Sequence, residues 1–150
     1  MYQTGERILL TVWIGGMWAI GYIVVPTLFS LLDDRILAGT IAGRLFSIMS
    51  FIGIFSSVVL LAGLLMQYGK NCFSKAYWQS WILLVMLIII LIGQFILQPI
   101  MSDMREAGLV GEVATNFGRL HGVSSVLFLI NSLGGLVLIV FGLNRNPGLK

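Results

Sequence analysis

Four long apolar runs, separated by short polar stretches, extend along the chain. Runs of about 20 apolar residues satisfy the length needed to cross roughly 30 Å of hydrocarbon. The pattern predicts an all-α integral membrane protein, a four-helix bundle forming a single membrane domain over residues 1–150. Spans are expected at about 7–32, 46–68, 77–98 and 120–143, with interfacial segments at about 36–45 and 102–117.

Local signals mark the ends of these runs. Thr4 reads as an N-cap ahead of Glu6. Pro26 falls near the far end of the first span and should kink it or mark its exit. Asp33-Asp34-Arg35 makes a short turn. The helical stretch from about Ile36 to Tyr68 exceeds what a bilayer needs at about 1.5 Å per residue, so its opening residues are expected at the membrane surface. Gly69-Lys70-Asn71 closes it, and Tyr77, Trp78 and Trp81 form an interfacial aromatic belt where the third span begins. Pro99 sits at the far end of that span. The polar stretch from Ser102 to Asn116 reads as a connecting loop or an interfacial helix, and Pro147-Gly148 ends the final helix.

The two halves resemble each other beyond hydropathy. In each, a proline ends one span, acids follow, and the next helix opens on Gly-Arg-Leu: AGRLFS at 42–47 and FGRLHG at 117–122. Pro26 precedes Arg44 by 18 positions and Pro99 precedes Arg119 by 20. Two hairpins that each cross twice share one topology, so this predicts a parallel internal repeat with a pseudo-two-fold axis along the membrane normal. In that alignment Phe46 stands where the other half has His121, which directs attention to the second half.

Composition agrees with the spans: 58 % of residues are hydrophobic, only 10 % are charged, and mean hydropathy is +0.99. A soluble domain of this length could not hide that much apolar surface. The net charge of +3 is no nucleic-acid signal, since the basic residues sit in membrane loops. Lys70 and Lys75, and Arg145 and Lys150, have no acid beside them, whereas the other two loops mix both signs. The positive-inside rule therefore predicts that both termini and the Lys70–Lys75 loop are cytoplasmic and the other two loops outside, in a membrane expected to be the bacterial inner membrane. The first run has no cleavage site behind it and is expected to stay as an anchor. Cys72 is the single cysteine, which excludes an intramolecular disulfide and any CxxC motif.

Candidate chemistry is sparse. His121 is the only histidine and falls on one helical stripe with Ser124, Phe128, Asn131 and Gly135. Polar groups on such a helix face the bundle, so His121 and Asn131 either tie helices together or bind a ligand. Gln94, Gln98, Met101 and Arg105 form a second stripe. Arg44 and Arg119 occupy equivalent repeat positions; they either snorkel and pair with acids, or clamp a carboxylate or phosphate. His121 is the one metal candidate, as a heme ligand or with Met49, Met101 and Met104 as a copper(I) set, although methionine is also an ordinary gap-filler. Gly39 with Gly43, and Gly118 with Gly122, are GxxxG pairs suited to close helix packing. Trp18, at mid-span, is expected to bury its indole N–H. No catalytic triad, acid pair, Walker loop or dinucleotide motif is present.

WIGG at 13–16, Pro26 with Phe29, AGxxAGRLF at 38–46 and Phe117 with His121, Ser124 and Asn131 resemble the transmembrane-protein-205-like group, a domain of unknown function. The resemblance spans about Leu10 to Gly142. WIGG and the later proline are more distantly similar to the copper resistance D family and to HemJ-type protoporphyrinogen oxidases. Those families carry a histidine at the start of the first span, where this chain has Ile8, Leu9 and Leu10. The resemblance implies a four-helix membrane bundle and supplies no reaction.

The residues together predict a non-enzymatic, multi-pass membrane protein with a polar outer-face site of Arg44, Gln94, Gln98, Arg119, His121, Ser124 and Asn131. It would bind a small ligand or lipid, or act as an accessory subunit of a larger membrane complex or homo-oligomer. The alternatives are a heme-linked membrane oxidoreductase using His121, with heme as its cofactor, and a small oligomeric transporter.

Overall fold

The computed structural model describes residues 2–74 and 77–143. Lys75 and the 144–150 tail, with Arg145, Pro147, Gly148 and Lys150, lie outside the described residues. A backbone inside hydrocarbon must satisfy its own hydrogen bonds, and helices do so within one segment. No strand forms among the described residues. Four helices are long and apolar enough to cross a membrane, Thr4–Leu31, Arg35–Phe73, Trp78–Glu106 and Gly111–Phe141. The protein is an all-α, multi-pass membrane bundle.

The first crossing consists of α1 (Tyr2–Trp18), a π-helical turn (Ala19–Val24) and α2 (Val25–Leu31) without a break. Thr4 therefore lies inside α1 and is not its cap. Pro26, at the start of α2, has no N–H, and its ring crowds the carbonyl four residues back. The chain absorbs this by winding wider, so that the Val25 N–H reaches back five residues to the Ile20 carbonyl. The second hairpin uses the same device. Between α4 (Trp78–Ile92) and α5 (Gln98–Glu106) lies a π-helical turn (Gly93–Leu97), and the Gln98 N–H reaches Gly93 O just before Pro99. Neither proline ends its helix.

Asp34 starts α3 (Arg35–Tyr68), its Oδ1 accepting from the N–H groups of Ile36 at 2.9 Å and Leu37 at 3.0 Å. Gly69, at φ +56°, ends α3 and opens a 3₁₀ turn (Gly69–Phe73). The stretch expected as a loop or interfacial helix divides instead. α5 continues to Glu106, a tight turn carries Gly108 at φ +87°, and α6 (Gly111–Phe141) starts well before the expected Leu120. Hydropathy marks the hydrocarbon, whereas helical hydrogen bonding continues past it. The 31 residues of α6 measure about 46 Å at 1.5 Å per residue, more than a bilayer core needs.

Close packing concentrates where α1 begins, α6 ends and α3 turns into α4. Leu10, Trp13, Ile14, Leu64, Leu83, Met86 and Leu138 are its buried members. Small residues let these helices meet. A Cβ on Gly53 would lie 2.6 Å from Trp13 Nε1, and one on Gly135 would overlap Ile14. The buried indole is thus that of Trp13, at 1 % exposure, while Trp18 is 38 % exposed and meets Tyr22 edge-on. Aromatic pairs close this end: Tyr68 with Tyr77, Phe73 with Trp81, and Trp78 with Phe141. The Trp81 indole N–H donates to the Phe73 carbonyl at 3.0 Å. Cys72 is buried here.

The Trp13–Gly53 contact leaves no room for a side chain, and overpacking a rigid core costs about 1–3 kcal/mol. Gly53→Leu is therefore expected to destabilise the bundle by that amount in denaturing-detergent titration followed by tryptophan fluorescence. An unchanged midpoint would show that the indole does not seat on Gly53.

Candidate functional site

Toward the opposite end, near the turns at 32–34 and 107–110, the helices enclose a cavity of about 750 Å³. This lies within the range of small-ligand pockets, roughly 300–1,000 Å³. All four crossings line it. Its inner end is Trp13, Met17, Ile90 and Asn131, and its outer end is Arg35, Arg105, Leu109 and Phe117. An aromatic cluster stands between, with Phe128 at 5.6 Å from Tyr22 and 5.5 Å from Phe46 between ring centroids. Gly21 makes space for the Phe128 ring, which a Cβ there would overlap.

Both polar stripes point into this space. Gln94, Gln98, Met101 and Arg105 all line it, as do His121, Ser124, Phe128 and Asn131. Gly135, the last member of the second stripe, packs on Ile14 below the cavity. Asn131 is buried, and its Oδ1 accepts no hydrogen bond from the described residues. The His121 ring stacks on Phe117, with centroids 6.1 Å apart and planes 6° apart. Its side chain is exposed at the cavity edge, while its carbonyl accepts from Ser125 Oγ at 2.8 Å.

Arg44 and Arg119 stand elsewhere. Both are exposed, and neither lines the cavity. Helical rotation of about 100° per residue explains this. In each Gly-Arg-Leu motif, Arg44 follows by one residue the cavity-facing Gly43, and Arg119 precedes by two the cavity-edge His121. The guanidiniums on the cavity wall belong to Arg35 and Arg105. The place of Arg105 on the Gln94–Gln98–Met101 stripe is the sequence signal that it faces inward.

Arg105 is held by backbone carbonyls. Its Nε donates to Met101 O at 3.1 Å, its Nη1 donates to Gly39 O, and its guanidinium carbon lies 5.9 Å from the centre of the Phe117 ring. Gly43 makes this approach possible, because a Cβ there would lie 2.9 Å from Gln98 Nε2 and 3.0 Å from Arg105 Nη1. The two GxxxG pairs thus differ. Gly39 and Gly43 receive the Arg105 side chain, whereas Gly118 and Gly122 have open space around them.

For metal chemistry the wall offers His121 with Met49 and Met101; Met104 does not line it. Among the described residues no three His, Cys, Asp or Glu side chains gather.

The profile of a family described as a domain of unknown function (DUF4149) matches residues 8–109. That stretch holds Gln94, Gln98 and Arg105 and stops before α6, which contributes His121, Ser124 and Asn131. Curated proteins and solved structures give no match.

The two classes of position separate in mutagenesis. Arg44→Ala and Arg119→Ala are expected to change stability by no more than about 0.5 kcal/mol, as exposed positions usually do. Gly43→Leu drives into Gln98 and Arg105 and is expected to cost about 1–3 kcal/mol. Unfolding midpoints for the three variants in one detergent decide it, and equal midpoints would contradict the packing around Gly43.

Proposed function

We propose that this chain, which belongs to the DUF4149 family, is a non-enzymatic membrane protein whose bundle holds one small amphiphilic ligand or lipid. The observation that carries this reading is the cavity of about 750 Å³ with its apolar, aromatic walls and its few converging polar groups. Gln94, Gln98, His121, Ser124 and Asn131 are the polar ligand contacts in this reading, joined by Arg105. Arg44 and Arg119 serve at the rim, toward the polar heads of the surrounding lipid. The resemblance to the transmembrane-protein-205-like group fits a bundle of this kind, as does service as an accessory subunit of a membrane complex or a homo-oligomer.

The reading includes a parallel repeat. The matching π-helical turns before Pro26 and Pro99 support it, as do the Gly-Arg-Leu motifs. It also sets both termini in the cytoplasm of a bacterial cell, so that the cavity opens toward the outer leaflet of the inner membrane. Lys70, in the short turn after α3 with no acid nearby in sequence, supports that orientation.

A heme-linked oxidoreductase is the second reading. The feature in its favour is His121, whose exposed imidazole borders the cavity, and Arg35 and Arg105 on the same wall are cations of the kind that pair with carboxylates. Bound heme would supply electron-transfer chemistry there.

Native mass spectrometry and an absorption spectrum of one neutral-detergent preparation test both readings. The wild type is expected to carry a one-to-one lipid-sized adduct that Ser47→Trp, which fills the cavity wall, removes. A bare wild type would sink the ligand reading, and a Soret band lost in His121→Ala would replace it with the heme reading. Orientation is tested by thiol labelling in intact bacteria, where buried Cys72 gives little background. Asp33→Cys is expected to label directly and Asn71→Cys only after permeabilisation; the reverse pattern would invert the topology.

A further inference from the structure

Arg105 is a half-buried cation on the cavity wall, and it has no counter-ion among the described residues. The chain has six acidic side chains, and none of them forms an ion pair with it. Two of its donors reach the carbonyls of Met101 and Gly39, and the rest of its five N–H donors find no acceptor among the described residues. The cavity wall as a whole carries Arg35 and Arg105 and no carboxylate. Carbonyls satisfy hydrogen bonds and leave the charge uncompensated, and a charge removed from water costs heavily unless it is paired. The side chain is also held in place. Its anchoring carbonyls, the Phe117 ring and the gap at Gly43 keep the guanidinium at the outer end of the cavity, beside Gln98.

We infer that the occupant is an anionic amphiphile. Its carboxylate or phosphate head binds the free edge of Arg105, with Gln98 Nε2 as a further donor, and its apolar chain runs inward past Phe128 toward Trp13. This rests on the cavity being a ligand site and adds the charge and direction of the ligand. A guanidinium fork suits both head groups, because both present two coplanar or nearly coplanar oxygens. The cavity length suits a chain. From Phe117 to Asn131 α6 rises about 21 Å, at 1.5 Å per residue, with Phe128 on the way. Arg35, at the rim, adds to the attraction for an acid entering from the membrane surface.

The test uses the full chain in neutral detergent, with binding read by native mass spectrometry. Oleate is compared with oleyl alcohol, which keeps the chain and removes the charge. Phosphatidylglycerol is compared with phosphatidylcholine of the same chains, and inorganic phosphate is tested alone. The wild type is expected to bind the acidic member of at least one pair about tenfold more tightly or better, the scale of one charge-assisted contact. The pair that shows it separates a fatty-acid head from a phospholipid head. Arg105→Gln should reduce that preference to less than about twofold, and Arg105→Lys should retain part of it.

Equal binding of charged and neutral probes would overturn the inference while leaving the cavity a ligand site. A preference that survives Arg105→Gln would overturn it by placing the head elsewhere. Inorganic phosphate binding as tightly as oleate or phosphatidylglycerol would overturn the chain half. Failure of every amphiphile to bind one-to-one would overturn the ligand reading as well. If Arg105→Gln does not fold, the charge preference of the wild type still decides.

Discussion

In hydrocarbon, lipid tails compete with apolar side chains on equal terms, so helices are held together by close packing rather than by escape from water. This bundle depends on one such contact layer. Trp13 lies over Gly53, Ile14 lies over Gly135, and Met49 lies against Gly16, so α1, α3 and α6 meet at nearly the same depth with α4 behind them. The layer works because three glycines remove the side chains that would keep the backbones apart. Below it the aliphatic core is continuous to the aromatic pairs at the α3–α4 turn. Above it the helices part.

The cavity arises from that parting. Both crossings that begin a hairpin carry a π-helical turn and a proline just above the contact layer, and a wider turn shifts the register of everything beyond it. Packed helices cannot follow a register shift on two sides without losing contact. The side chains that face the resulting space are aliphatic, aromatic or small, with a few polar groups that lipid tails alone would serve poorly. π-helical turns are often found at functional sites, and here they border the cavity with its polar side chains.

Charge is placed by rotation around the helix rather than by depth. Three basic residues stand at the cavity end, Arg35 at the start of α3, Arg44 within it and Arg119 within α6, and they differ in where the helix turns them. Among the arginines of the described residues, Arg105 is the one that reaches across to a neighbouring helix, to Gly39 O over Gly43. The carbonyls that hold this guanidinium leave its charge unpaired among the described residues, and it borders the cavity. The repeat makes the asymmetry plain: Gly39 and Gly43 receive a side chain, while Gly118 and Gly122 receive none.

The sequence by itself determined the bundle. Runs of apolar residues long enough to cross a bilayer leave the backbone no alternative to helices, and Asp34, Gly69 and the Gly108 turn divide them where local chemistry requires. It also determined the two inward stripes, because side-chain direction along one helix follows from its period alone. What it left open were the ends and the neighbours. Hydropathy reports where lipid is, so it stopped the third helix at Gln98 and started the fourth at Leu120, while hydrogen bonding carried both further. A conspicuous motif drew attention to Arg44 and Arg119, and only tertiary structure showed which guanidinium faces the cavity. That choice depends on how two helices are rotated against each other, through contacts such as Gly43 with Gln98 and Arg105, and no single helix's pattern contains that relation.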